Sequence, residues 1–85
     1  MLAEAELDLH KMTRDEARKE VGAFLDEAEA QDLKKVRIIT GKGLHSESGT
    51  GVLNAYVKGI LDRGGYEYQD ARYDEGGEGA IEVLL

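Results

Sequence analysis

Residues 6–10 alternate polar and apolar, residues 35–40 form a β-branched run, and the roughly two dozen residues between them carry a capped amphipathic helix; that spacing limits the possible folds more than any other feature of the chain. In the first stretch Leu7 and Leu9 point to one side and Asp8 and His10 to the other, the pattern of a half-buried strand. Thr13 and Glu16 have capping-box spacing, and Ala17, Val21, Phe24, Leu25 and Ala28 follow on one helical face. Val36, Ile38 and Ile39 then suit a buried interior strand. Two strands separated by a helix are expected to be parallel neighbours joined by a right-handed crossover. Their C-terminal ends then share one rim, which brings Asp8 and His10 toward the segment starting at Thr40, and such rims are where ligands of open α/β sheets bind.

The remaining chain completes the layer. Leu53, Tyr56, Val57, Ile60 and Leu61 form the apolar face of a second helix, which predicts a buried Tyr56, and Gly64 and Gly65 suit its left-handed C-cap. Residues 66–73 read as a tyrosine-rich strand, residues 74–79 as an acidic, glycine-rich turn, and residues 80–85 as a closing strand with Ile81, Val83 and Leu85 on one face. The short connection makes this last pair antiparallel. Each helix has one apolar face to bury and the strands offer a matching one. The expected fold is therefore an α/β (α+β) two-layer sandwich, βαβαββ, with a four-stranded mixed sheet and both helices packed on one face. Residues 1–85 make one domain; its core is thin, so chemistry is expected to be shallow, near the rim of the sheet, and suited to a large substrate.

Composition narrows the function classes. With no cysteine there are no disulfides, thiolate nucleophiles or thiolate metal sites, which agrees with a cytoplasmic setting. No apolar run approaches a membrane span, and the acidic, alternating N-terminus does not resemble a targeting peptide, so a membrane is not expected among the partners. A formal charge of −7 argues against nonspecific nucleic-acid binding. The charge is unevenly spread, however: residues 1–33 carry four basic and ten acidic groups, residues 34–63 six and two, and residues 64–85 one and six. The only net-positive third holds the glycine-rich stretch of residues 39–53, ITGKGLHSESGTGVL. A phosphate ligand there is compatible with weak, salt-sensitive binding.

That stretch sits at a strand-to-helix junction. Gly41, Gly43, Gly49 and Gly51 permit close backbone approach, Lys42 adds a cation and His45 an imidazole, and the following helix offers its unpaired N–H groups to an anion. The spacing matches neither a P-loop nor a dinucleotide fingerprint, so nucleotide hydrolysis and redox cofactors are poor readings. Asp8 and His10, two apart on a strand, can serve as acid–base groups, but on the residues alone such a pair is more often a solvated strand face or a loop cap. His45 beside Ser46 is not read as a nucleophile–base pair, because neighbours on a loop seldom align for that transfer and no third orienting group is evident. It suits phosphate contact or acid–base work, or a bond to its own backbone. Tyr66, Tyr68 and Tyr73 are candidates for base stacking if they face the rim.

Three segments in this order, LDLH at residues 7–10, TGKGLHSESGTGVL at 40–53 and GGEGAIEVLL at 76–85, together resemble the Smr (small MutS-related) domain family over nearly the whole chain. Lys11 stands where the family's first motif usually continues with glycine, and Asn54 where an arginine is common; the loop is closer to the family's TGxGxHS variant than to its short HGKGTG form. The resemblance implies the βαβαββ sandwich and nucleic-acid binding, with nicking endonuclease or endoribonuclease activity on structured DNA or RNA. It also implies the C-terminus of a larger repair-linked or ribosome-linked protein, or a small separate protein, as the setting. On this chain the catalytic candidates are Asp8, His10 and His45, and the phosphate-binding candidates are Gly41, Lys42, Gly43, Ser46, Gly49, Thr50, Gly51 and Asn54. No metal ligand is assigned; the residues fix no cofactor and leave a divalent metal open. A non-catalytic module docking nucleic acid or a protein partner through the same loop is the alternative.

Overall fold

The computed structural model describes residues 3–9, 12–41, 50–71 and 79–85, with residues 50–52 described by their backbone alone. In chain order the elements are β1 (Glu6–Asp8), α1 (Arg14–Ala30), β2 (Lys35–Ile39), α2 (Thr50–Gly64), β3 (Glu67–Ala71) and β4 (Ala80–Leu84). The strands form one sheet in the order β1-β2-β4-β3. β1 runs parallel to β2, whereas β4 is antiparallel to both β2 and β3. β1, β2 and β3 therefore point the same way, and β4 returns between the last two.

Local chemistry sets the helix ends. Thr13 caps α1: its hydroxyl accepts from the Glu16 N–H at 3.1 Å while the Glu16 carboxylate accepts from the Thr13 N–H at 3.0 Å. At the other end the Leu33 N–H donates to the Ala28 carbonyl and the Asp32 N–H to that of Glu29. This closure forces Asp32 to φ 61°, a conformation in which a side chain is unfavourable. The same closure ends α2, where Tyr66 bonds back to Leu61, Gly65 bonds back to Asp62, and glycine takes the positive φ of 78°.

Both helices lie on one face, because they pack against each other and share one core. That core joins Ala17, Val21, Leu25 and Ala28 of α1 to Leu53, Val57 and Leu61 of α2, over Val36, Ile38, Ile81 and Val83 of the sheet. Phe24 packs at its margin, half-buried. Full burial of each larger side chain is worth roughly 1.5–3 kcal/mol, so the shared core outweighs any local preference. The opposite face carries a cross-strand row of polar groups. Arg37 bonds Glu6 at 3.2 Å and Glu82 at 3.4 Å, while Gln69 donates to Glu82 at 3.0 Å and Lys35 lies 3.5 Å from it. These bonds tie all four strands together across the middle of the sheet.

The elements end slightly inside their expected ranges: β2 closes at Ile39, β3 runs Glu67–Ala71 and β4 stops at Leu84. Tyr56 departs from expectation more. It is half-buried, because its ring lies at the seam between the helices under the guanidinium of Arg14. Helical periodicity gave its side of α2 and could not supply the cationic cover.

Candidate functional site

Strand direction and register define one rim. Asp8 pairs with Ile39, Ile39 with Ala80, and Ala80 with Ala71, so one row of residues marks the C-terminal ends of β1, β2 and β3 and the start of β4. The Leu9 N–H extends the parallel ladder with a bond to the Ile39 carbonyl at 2.7 Å. The chain reaches this rim at Leu9 after β1, at Gly41 after β2 and at Ala71, where β3 ends.

A buried hydrogen-bonded latch fixes the centre of the rim. Thr40 is fully buried. Its N–H donates to the Gly79 carbonyl at 2.7 Å, the Gly41 N–H reaches the same oxygen at 3.1 Å, and the Thr40 hydroxyl donates to it at 3.2 Å. That hydroxyl accepts from Asn54 Nδ2 at 3.2 Å. The end of β2, the start of β4 and the first turns of α2 are thereby locked together. Gly41 and Gly79 sit at φ 94° and 113°, a region effectively closed to side chains, so these two glycines are required by the backbone path itself.

Of the candidate catalytic residues, Asp8 is exposed on the sheet face away from the helices, at the rim row. His10 and His45 lie outside the described residues, as do Lys42, Gly43, Ser46 and Gly49. Gly41 is at the latch, and Thr50 and Gly51 open α2. Asn54 has a local task, holding Thr40, in addition to any ligand it meets. Thr40 and Gly79 are not among the residues singled out from sequence. The available signal was a threonine ending a β-branched run, with a helical amide one turn beyond the helix start.

Tyr66 and Tyr68 do not serve the rim. The Tyr66 hydroxyl donates to Glu29 at 3.1 Å, where α1 ends, and burial, then the Glu29 bond, hold its pKa above the ordinary value. The Tyr68 hydroxyl donates to Asp62 at 2.8 Å on α2, and that bond raises its pKa. Tyr73 lies outside the described residues. Among the described residues no group of three or more His, Cys, Asp or Glu could hold a metal ion, and no helix is long and apolar enough to cross a membrane.

A family model for the Smr domain matches residues 7–85. The chain is 37% identical over 81 residues to Endonuclease MutS2 of Caldicellulosiruptor bescii, covering 93% of this chain and 10% of that protein. An uncharacterized protein of Treponema pallidum is 41% identical over 85 residues, covering 96% of this chain and 41% of its own length. The chain thus spans less than half the length of these relatives. Among solved structures, the Smr domain of Thermus thermophilus MutS2 superposes with a TM-score of 0.79 at 35% identity, covering 95% of this chain and 96% of that one. YdaL of Escherichia coli, a stand-alone small MutS-related protein, gives 0.83 at 34% identity, covering 94% of this chain and 63% of that one.

Proposed function

Because this chain belongs to the Smr domain family, we propose that it binds structured DNA or RNA and cuts the phosphodiester backbone at the rim where β1, β2 and α2 meet. The observation that supports this most is the parallel register of β1 and β2. Asp8 sits opposite Ile39, so the chain passes into His10 and into the 41–51 loop from neighbouring strand ends. In this reading Gly41, Lys42, Gly43, Ser46, Gly49, Thr50 and Gly51 hold a phosphate by amides, hydroxyls and one cation, at the positive end of the α2 dipole. Asn54 joins the cradle by keeping Thr40 and the helix start together. Asp8, His10 and His45 move the protons: one group accepts the proton of the attacking oxygen, another protonates the leaving oxygen.

The relatives' name of endonuclease supports the chemistry, and the residues at 8, 10 and 45 supply groups fit for it. The net charge of −7 favours a second reading, a docking module of a larger repair-linked or ribosome-linked protein that uses the same rim without cutting. One assay decides between them. Supercoiled plasmid and end-labelled RNA are incubated with the protein, with and without a divalent metal, beside His10→Ala. Nicking or cleavage by the parent and loss of it in the variant is the expected result; binding without cutting selects the docking module.

A further inference from the structure

Arg14 and Tyr56 meet at the rim end of the helix layer, outside every motif considered above. We infer that they form a stacking subsite for one unpaired nucleobase on the β1 side of the rim. This rests on the reading of the rim as a nucleic-acid interface. The Arg14 guanidinium carbon lies over the Tyr56 ring, 5.9 Å from its centroid. Arg14 is the first residue of α1, and the turn just before that helix returns to the end of β1 through the Met12 N–H on the Leu9 carbonyl. Tyr56 stands two residues beyond Asn54, about 3 Å further along the helix axis and about 200° around it, so Asn54 faces the Thr40 latch while Tyr56 faces the start of α1.

Neither side chain has a carboxylate or hydrogen-bond partner among the described residues. Among the described residues, Arg18, Lys34, Lys35, Arg37 and Lys58 each have a carboxylate within ion-pair distance, whereas Arg14, like Lys19 and Arg63, has none. The Tyr66 and Tyr68 hydroxyls donate to carboxylates, whereas that of Tyr56 has no hydrogen-bond partner among the described residues. An acidic domain thus keeps a guanidinium without an ion pair among the described residues, over a half-buried aromatic ring, at the end where a nucleic acid is read to bind.

Magnitudes favour an exchange. An exposed cation–π contact is worth about a two- to fivefold preference, whereas a base stacked on an aromatic ring is worth about five- to 150-fold in affinity. A base that enters over Tyr56 displaces the guanidinium, and Arg14 moves to the flanking phosphate. A fully paired duplex has no base to offer, so the subsite selects substrates with a bulge, loop or single-stranded junction.

The test uses fluorescence anisotropy at low salt on a DNA hairpin carrying one bulged 2-aminopurine and on the same stem without the bulge. The expected result is tighter binding of the bulged hairpin and quenching of 2-aminopurine on binding. Tyr56→Leu should lose about tenfold on the bulged hairpin and less than about twofold on the paired stem, while Tyr56→Phe should match the parent. Arg14→Gln should lower the salt slope by about one unit on both. Circular dichroism melts confirm that each variant is folded. If the parent shows no preference for the bulge, or Tyr56→Leu keeps that preference and the quenching, the subsite is refuted while the rim reading stands. Absence of parent binding to either hairpin overturns both.

Discussion

Replacing Thr40 with valine removes the hydroxyl at the centre of the rim and keeps the shape of the side chain. The hydroxyl donates to the Gly79 carbonyl and accepts from Asn54, both at 3.2 Å. The Gly79 oxygen keeps the Thr40 and Gly41 N–H groups at 2.7 and 3.1 Å, so no buried acceptor is orphaned. Asn54 is half-buried and can find water. The loss is then two long neutral hydrogen bonds without a full desolvation penalty, about 1 kcal/mol in total. In a domain this size that lowers Tm by about 4–8 °C. Asn54→Ala also breaks one of the bonds, but alanine regains roughly 0.6 kcal/mol of helix propensity, so it should melt within a few degrees of the parent. The double variant should be more stable than the sum of the single losses, with a coupling of about 0.5 kcal/mol or more. Thermal and urea melts of the four proteins measure this. Equal stability of Thr40→Val and parent, or strict additivity, would falsify the latch.

Three further outcomes follow from other parts of the molecule. Asp32→Gly should raise stability by about 0.5–1 kcal/mol, because Asp32 holds φ 61° at the end of α1, and a lower Tm in a thermal melt would contradict that account. Glu82 is held below its ordinary pKa of 4.5, chiefly by the Gln69 hydrogen bond and further by Arg37 and Lys35. The unfolded chain therefore binds this proton more readily, and Glu82's contribution is complete above about pH 4.5 and is lost as pH falls through the depressed value. Urea melts at stepped pH should show the gap between parent and Glu82→Gln narrowing on acidification; a gap that widens would refute the assignment. For the proposed activity, Lys42→Ala should flatten the salt dependence of nucleic-acid binding by roughly one unit of slope, whereas His10→Ala should slow cutting about a hundredfold or more with binding nearly unchanged. Cutting at the parent rate by His10→Ala would remove that residue from the mechanism.

Much of the fold is legible in local patterns, because each pattern has a local cause. Thr13 and Glu16 cap α1 from within four residues of chain, and the apolar positions of both helices follow from a 3.6-residue period. The parallel β1–β2 pair follows from the length of the connection, which is too long for a hairpin and contains a helix. The family is likewise written in the chain, as three motifs in order, and the match over residues 7–85 agrees with it. Family motifs point to positions such as Asp8 and Gly41. They do not say which buried bonds support them.

Tertiary structure decided the contacts between residues distant in sequence. No local rule places β4 between β2 and β3, since a central antiparallel strand depends on which neighbours best cover Ile81 and Val83. Thr40, Asn54 and Gly79 come together only because β2 and β4 pair while α2 crosses above them, and a hydroxyl, an amide and a carbonyl are too common in any sequence to announce such a meeting. Tyr56 carried the same ambiguity. Its period assigned it to the apolar side of α2, but its fate depended on where α1 begins, and the helix that arrives there brings Arg14 rather than an apolar side chain. Sequence by itself determined periodicity, caps and connection lengths, which act within a few residues. The sharing of a carbonyl among three donors and the cover over a ring were decided by packing, because those interactions exist only after separate elements have met.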